Sequence, residues 1–303
     1  MKIVIGTRGS ALAMAQARYV IDRLQENNPQ DQFELKIIKT KGDRIQNRSL
    51  GQIGGKGVFV REIEKELLAG DIQLAVHSMK DMPAQVPEGL CFAKSWTRED
   101  PRDVLVLREV SCLEELPLHA RIGTGSKRRG CQLLLLRPDL EIVDIRGNVD
   151  TRLARMQEEK LDGIVLAAAG LKRLGRQQVI TQYLEPEQMI PAPAQGMLAL
   201  EVRSDAVELL EKLDALSDPQ ADRLTQAERA FVQEMGGDCT LPVGAYARAL
   251  SDGKIQLLAA FGTADGSRFA RVTAGGLTPL EVAKEAAGRI QVELITSPAE
   301  PVV

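Results

Sequence analysis

The stretch Lys2-Ile3-Val4-Ile5-Gly6-Thr7-Arg8-Gly9-Ser10-Ala11-Leu12-Ala13 decides the fold class. Residues 3–5 form a short apolar run of the kind buried in a sheet, Gly6 to Ser10 make a small-residue polar turn, and residues 11–24 carry a helical pattern with Ser10 as its N-cap. A buried strand feeding a helix is a β-loop-α unit. Further candidate strands at 33–38, 72–76, 104–107, 141–145, 163–167 and 198–202 are separated by helical patterns such as 58–68. Such alternation predicts an α/β protein with mixed, largely parallel sheets.

At 303 residues the chain is long enough for two or three domains, and its patterning favours three. Two loop-like stretches break the alternation, Trp96-Thr97-Arg98-Glu99-Asp100-Pro101-Arg102-Asp103 and Pro191-Ala192-Pro193-Ala194-Gln195-Gly196. They read as paired hinge crossings. A chain leaving one lobe at the first and returning at the second makes a discontinuous domain 1 (1–97 and 197–216), an inserted domain 2 (102–190) and a cleft between them. The final third differs. Leu224, Ala227, Phe231 and Met235 fall at helical spacing before Gly236-Gly237, and strand-like runs at 243–250, 254–261 and 268–274 are joined by turns containing Asp252-Gly253 and Asp265-Gly266. Thr278-Pro279-Leu280-Glu281 then opens a helix as a capping box. The expectation is a smaller α+β domain 3 over 219–303, built on a three-stranded antiparallel sheet.

A net charge of −3, from 39 basic and 42 acidic residues, supplies no bulk attraction for nucleic acid or an anionic membrane, so a small-molecule partner is expected. The N-terminal apolar run leads into a strand without the features of a secretory signal, and no run reaches membrane-spanning length. A cytoplasmic setting is expected. The four cysteines, Cys91, Cys112, Cys131 and Cys239, are widely spaced and the only histidines are His77 and His119, which argues against a disulfide framework and against a metal site.

Leu74-Ala75-Val76-His77-Ser78-Met79-Lys80-Asp81-Met82-Pro83 is an apolar run that breaks into a hydroxyl, an ammonium and a carboxylate. In open α/β sheets the crevice beyond the carboxyl ends of the strands receives ligands, so Lys80 and Asp81 are candidates, against the plain reading of a solvated turn. Gly123-Thr124-Gly125-Ser126-Lys127-Arg128-Arg129 leads into another helical run. Backbone N–H groups and hydroxyls at a helix N-terminus suit an anion, and two arginines beside the positive end of the helix dipole need a local reason to be there. Ile145-Arg146-Gly147-Asn148-Val149-Asp150-Thr151-Arg152 repeats the arrangement, and Arg8 with Ser10 supplies it in the first lobe. Several arginines at strand-to-helix turns imply a ligand with several carboxylates or phosphates. Gly54-Gly55-Lys56-Gly57 lacks both the P-loop and the dinucleotide spacing, which leaves a loop carrying a cation or a plain solvent loop. Cys91, Cys112 and Cys131 read as small buried hydrophobes, whereas Cys239 lies in the glycine-rich Gly236-Gly237-Asp238-Cys239-Thr240 at a domain edge, placed to act as a nucleophile or a tether.

Thr7-Arg8-Gly9-Ser10, Gly54-Gly55-Lys56-Gly57-Val58-Phe59, the run from Val76 to Pro83, the Ser126 to Cys131 and Arg146 to Arg152 turns, Ala168-Ala169-Gly170-Leu171-Lys172-Arg173-Leu174 and the Cys239 loop together resemble the hydroxymethylbilane synthase (porphobilinogen deaminase) family, in order and over essentially the whole chain. The resemblance implies two lobes like those of type II periplasmic binding proteins plus a third domain, in a monomeric transferase. That enzyme condenses four porphobilinogen molecules head to tail with loss of ammonia and then releases hydroxymethylbilane by hydrolysis. It also implies a dipyrromethane cofactor held covalently at Cys239 as a thioether. Each pyrrole carries an acetate and a propionate, which suits Arg8, Arg128, Arg129, Arg146 and Arg152. Loss of the amine leaves an azafulvenium-like cation, and Asp81 is the carboxylate assigned to stabilise it and manage protons, while Lys80, its neighbour along an extended stretch, points elsewhere toward acidic groups. By the same resemblance Ser10, Lys56, Phe59, Ser78, Thr124, Ser126, Gly147, Asn148, Gln195 and Gly196 line the binding site.

Four positions depart from the family's pattern: Gln52 where lysine is frequent, Gly125 where serine is, and Asp150 and Asp238 where glycine is. Two rivals were weighed. A two-lobed binding protein would share the hinges and arginines but would need neither Asp81 nor a third domain with Cys239, and a cysteine-dependent transferase of another kind would need a basic partner near Cys239.

Overall fold

Three sheets organise residues 1–40, 60–236, 241–264 and 266–296, the residues that the computed structural model describes. With strands and helices labelled in chain order, the first sheet holds β1 (Lys2–Thr7), β2 (Gln32–Ile37), β3 (Leu74–Ser78), β4 (Leu90–Phe92) and β10 (Leu198–Arg203), in the spatial order β2-β1-β3-β10-β4. Helix α1 (Ala11–Asn27) begins where expected, its first turn capped by Ser10, whose hydroxyl accepts from the Ala13 N–H at 3.3 Å. The alternation of side chains along each strand divides this sheet's two faces. Leu74, Val76, Leu198 and Leu200 pack with Ala17, Val20 and Leu24 of α1, while Ala75 packs with Ile63 and Leu67 of α2 (Arg61–Ala69). Both faces of β3 are therefore covered, which explains its apolar run Leu74-Ala75-Val76.

The second sheet holds β5 (Asp103–Leu107), β6 (Arg121–Gly123), β7 (Glu141–Val143), β8 (Gly163–Ala167) and β9 (Gln182–Leu184), in the order β7-β6-β8-β5-β9. Leu105, Leu107 and Val165 pack with Leu133 of α3 (Lys127–Leu136), while Val104, Val106, Ile164 and Leu166 pack with Met156 of α4 (Val149–Glu158) and Leu171 of α5 (Ala168–Arg173). Both five-stranded sheets are mixed. In the first, β1 pairs parallel with β2 and β3 while β10 pairs antiparallel with β3 and β4. In the second, β6 pairs parallel with β7 and β8 while β5 pairs antiparallel with β8 and β9. The strands that run against the rest, β5 and β10, are the ones that follow the two hinge-like stretches.

After α6 (Val207–Asp214) and α7 (Pro219–Glu234), the last part forms the meander β11 (Val243–Ala249), β12 (Ile255–Gly262) and β13 (Phe269–Gly276), antiparallel throughout. Phe231 of α7 and Val282, Ala286 and Ile290 of α8 (Pro279–Thr296) bury against its alternate residues Ala245, Ala247, Leu257 and Ala259. The capping box at α8 is formed in both directions: the Glu281 N–H donates to Thr278 Oγ1 and the Thr278 N–H donates to the Glu281 carboxylate, each at 3.3 Å.

Packing divides the chain into two units, one of Met1–Glu99 with Met197–Asp222 and one of Asp100–Gly196 with Arg223–Val303. Within the second, buried Glu228 of α7 accepts from the Ala194 N–H at 2.6 Å and from the Ala247 N–H at 2.8 Å, so the 191–196 stretch is bonded to β11. Two local expectations shift. The strand expected at 72–76 is Leu74–Ser78, because Ile72 is buried with Ile63 and Leu67 without pairing, while the register with β10 runs on to Ser78. Strands β4, β6 and β9 have no counterpart among the expected strands, being three residues each with no apolar run long enough to mark them, and the strand expected at 141–145 is only Glu141–Val143.

Candidate active site

At the carboxyl end of β3 the chain turns through a single 3-10 turn, Met79–Asp81. Met79 and Met82 are buried on either side of it, the Met79 N–H donates to the Met197 carbonyl at 3.0 Å, and the Met82 N–H returns to the Met79 carbonyl at 3.1 Å. Pinned in this way, the turn leaves Lys80 half-buried and Asp81 exposed. The extended backbone expected at Lys80-Asp81 is thus replaced by a 3-10 turn, whose residues step by about 120° rather than alternating. Ser78 ends the strand with its hydroxyl accepting from Gln16 Nε2 of α1 at 2.9 Å. Gln16 is buried and was passed over in the sequence; the available signal was an amide on the apolar face of α1. In the same unit Arg8 is half-buried just after β1, and Ser10 caps α1.

In the second unit the turn after β6 follows a different plan. Thr124 is buried, its N–H donates to the Val143 carbonyl at 2.9 Å, and its hydroxyl accepts from the Ser126 N–H at 3.2 Å. Ser126 stands at the N-cap of α3 but makes no capping bond with its side chain. Gly125 fits a tight place, since a Cβ there would meet Asp144 Oδ1 at 2.9 Å and the Ile145 carbonyl oxygen at 3.0 Å. Arg128 and Arg129, expected to meet a ligand, are each 5% exposed and turn onto Asp103 at the start of β5. Arg128 Nη1 donates to Asp103 Oδ2 at 2.6 Å and to the Ile190 carbonyl at 2.7 Å. Arg129 Nη2 reaches Asp103 Oδ1 at 2.7 Å, and its Nη1 reaches the Val165 carbonyl at 3.0 Å. Gln195, fully buried, donates to Asp103 Oδ1 at 2.9 Å and to the Pro101 carbonyl at 2.7 Å.

Burial pushes the Asp103 carboxyl up, but the charges of Arg128 and Arg129 and their hydrogen bonds outweigh it and hold it well below the ordinary carboxylate value. Burial also lowers Arg128. Asp103 is the local reason for two cations at the first turn of α3, and in the sequence it shows only as an acid beginning an apolar strand. One carboxylate facing two guanidiniums leaves this trio with a positive charge in excess.

The turn after β7 presents Arg146, half-buried with its Nε on Asp144 at 3.0 Å. Asn148 caps α4 by accepting from the Thr151 N–H at 2.9 Å, and Arg152 Nε donates to the Gly147 carbonyl at 2.9 Å. Gly147 has φ +117°, and a Cβ there would meet Thr151 Cγ2 at 2.6 Å, so glycine is required on both counts. Asp150 pairs with Arg176 at 2.9 Å. The Gly196 carbonyl accepts from Arg173 at 2.6 Å. Cys131 is buried, but Cys91 and Cys112 are only half-buried, less than expected of them, and burial pushes the Cys91 and Cys131 thiols up. Lys56, Phe59 and Cys239, together with Gln52 and Asp238, lie outside the described residues. No helix among the described residues is long and apolar enough to cross a membrane.

Residues 3–211 match the model of the porphobilinogen deaminase, dipyromethane cofactor binding domain, and residues 223–294 match that of the porphobilinogen deaminase, C-terminal domain. A porphobilinogen deaminase of Lachnospira eligens is 53% identical over 291 residues, covering 95% of this chain and 99% of the relative. One from Clostridioides difficile is 51% identical over 269 residues, covering 88% of this chain and 89% of the relative. Among solved structures, a periplasmic binding protein of Salmonella typhimurium aligns at 14% identity and a TM-score of 0.37, covering 77% of this chain and 97% of its own.

Proposed function

The chain belongs to the porphobilinogen deaminase family, and from that premise we propose which of its residues carry each part of the reaction. The enzyme condenses four porphobilinogen molecules head to tail with loss of ammonia, extends a dipyrromethane primer, and releases linear hydroxymethylbilane by hydrolysis for tetrapyrrole biosynthesis.

Dipyrromethane carries four carboxylates, and the excess positive charge at Arg128 and Arg129 beside Asp103 fits such a group. Half-buried Arg8, Arg146 and Arg152 are assigned to further carboxylates of cofactor or substrate, as are Lys80 and Lys56. When bound, the cofactor supplies a nucleophilic pyrrole carbon at a fixed anchor, assigned to the Cys239 sulfur. Hydrogen bonds from Ser10, Ser78, Thr124, Ser126, Asn148 and the backbone of Gly147 and Gly196 are assigned to orient the rings, Gln195 serves the site by holding Asp103, and Phe59 is assigned to the same site.

Asp81 is the proposed catalytic residue. As the amine leaves porphobilinogen, positive charge develops on the methylene and spreads to the pyrrole nitrogen, and a carboxylate beside that nitrogen lowers the barrier. The observation that carries this assignment is the turn after β3, where buried methionines and neutral hydrogen bonds fix the backbone while the carboxylate is left in the open. The reading includes a monomer in the cytoplasm and three domains, 1–97 with 197–216, 102–190 and 219–303.

Intact mass of the purified protein, with an acid dimethylaminobenzaldehyde test for pyrroles, checks the assignment. The expected result is a mass excess of one dipyrromethane, absent in Cys239→Ser. An unmodified protein that turns over at full rate would overturn the attachment.

A further inference from the structure

His77 stands one residue before Ser78, and the alternation of β3 places it on the face that α2 covers. Its Nε2 lies 3.3 Å from Glu201 Oε2, reached diagonally across the pairing in which Ala199 faces His77 and Glu201 faces Ala75. These side chains are 5% and 0% exposed, and among the described residues neither Nε2 nor either oxygen of Glu201 has a hydrogen-bond partner. Glu64 of α2 faces the same pair. Burial, and then the charge of Glu201, pushes its carboxyl up, while His77 and Arg61 pull it back. Among the described residues, the charged groups near the imidazole are Glu201 from β10 and Glu64 from α2, while β1 brings Ile5 and Gly6 to β3 and α1 brings the neutral Gln16 to the other face.

A carboxylate and an imidazole sealed from water, with a second carboxylate half-buried on α2, are costly unless their charges compensate one another. The cluster bridges the three elements that converge at the carboxyl end of β3. Its strand register leaves one residue between His77 and the turn, so a displacement at His77 is passed to Ser78 and Asp81 through rigid backbone.

We propose that His77 is a positioning residue, held against Glu201 in a buried charge pair, that fixes the end of β3 on β10 and so aims the turn bearing Asp81. The role rests on the assignment of Asp81 above. It gives the reaction a dependence on a proton that never touches the substrate.

The test uses cofactor-loaded enzyme, with kcat and KM measured against pH per mole of loaded protein. His77→Asn and Glu201→Gln are expected to lower kcat roughly 10- to 100-fold, the scale of a misplaced catalytic group, with little change in KM and without adding in the double variant. Glu64 is half-buried, and Glu64→Gln tests the role even if the other variants fail to fold. It should shift the pH dependence of kcat together with the His77 titration seen by NMR on protein labelled with 15N-histidine, where exposed His119 supplies the one other signal. A Glu64→Gln enzyme with both curves unmoved, or a His77→Asn enzyme with a lower melting temperature and full kcat, overturns the proposal. Asp81→Asn separates the two readings: full activity there removes the site assignment, whereas an inactive Asp81→Asn beside unaffected His77→Asn and Glu64→Gln removes the positioning role alone.

Discussion

The turns after β3 and after β6 look alike in sequence, each a buried strand ending in small polar and charged residues, yet they treat charge in opposite ways. After β3 the turn is held by buried methionines, main-chain bonds and the amide of Gln16 on Ser78, and the carboxylate of Asp81 is left exposed. After β6 the charges are drawn inward, with Arg128 and Arg129 closing on Asp103. A charged residue at a strand end is presented when the bonds that hold its turn do not use it, and is part of the frame when a buried partner of opposite sign is within reach.

Breaking each turn should therefore give different failures. Asp81→Asn is expected to keep the fold and cofactor content while turnover falls roughly 10²- to 10⁴-fold, the range for loss of an acid–base group; ammonia release from porphobilinogen measures it. Asp103→Ala strands two buried guanidiniums and should cost about 3–5 kcal/mol of stability, read as a lower urea midpoint by far-UV circular dichroism. Trp96, the single tryptophan, is buried in the other unit and offers a separate fluorescence signal for it. A stable Asp103→Ala protein would mean that the arginines are not part of the frame.

A gentler break uses pH on Asp100, three residues upstream. Burial raises its carboxyl, but hydrogen bonds from Arg102 and Lys172 bring it down to about 2. A depressed carboxylate contributes stability above its unfolded value and loses it on protonation, so about 1 kcal/mol, allowing for solvent screening, should vanish as pH falls from about 4 to about 2. Acid titration of the wild type against Asp100→Asn checks this, and identical slopes would contradict it.

The smallest effect compares two serines at helix starts. Ser10→Ala removes a formed cap and should cost about 1 kcal/mol, while Ser126→Ala, which loses no cap, should leave the melting temperature unchanged. Equal losses would erase the distinction between a serine that serves its helix and one left for a ligand.

Much of the architecture was legible in the chain because it is local. Periods of two and 3.6, Ser10 and Thr278 at helix starts and Asp252-Gly253 between strands each declare themselves within a few residues. The Asp81 turn was legible as a place and not as a shape, since a 3-10 turn and an extended stretch share the same composition. The half-buried state of Cys91 and Cys112 was not legible at all, because exposure depends on what packs above.

The sequence alone determined the alternation of strands and helices, the meander, the family resemblance and the candidate chemistry of Asp81 and Cys239. Tertiary structure alone decided that Gln16 holds Ser78 across 62 positions, that Arg128 reaches Asp103 across 25, and that His77 meets Glu201. The physical reason is range: periodicity and capping act over one or two turns of backbone, whereas a buried charge or amide is satisfied by whichever group the folded chain brings within about 3 Å.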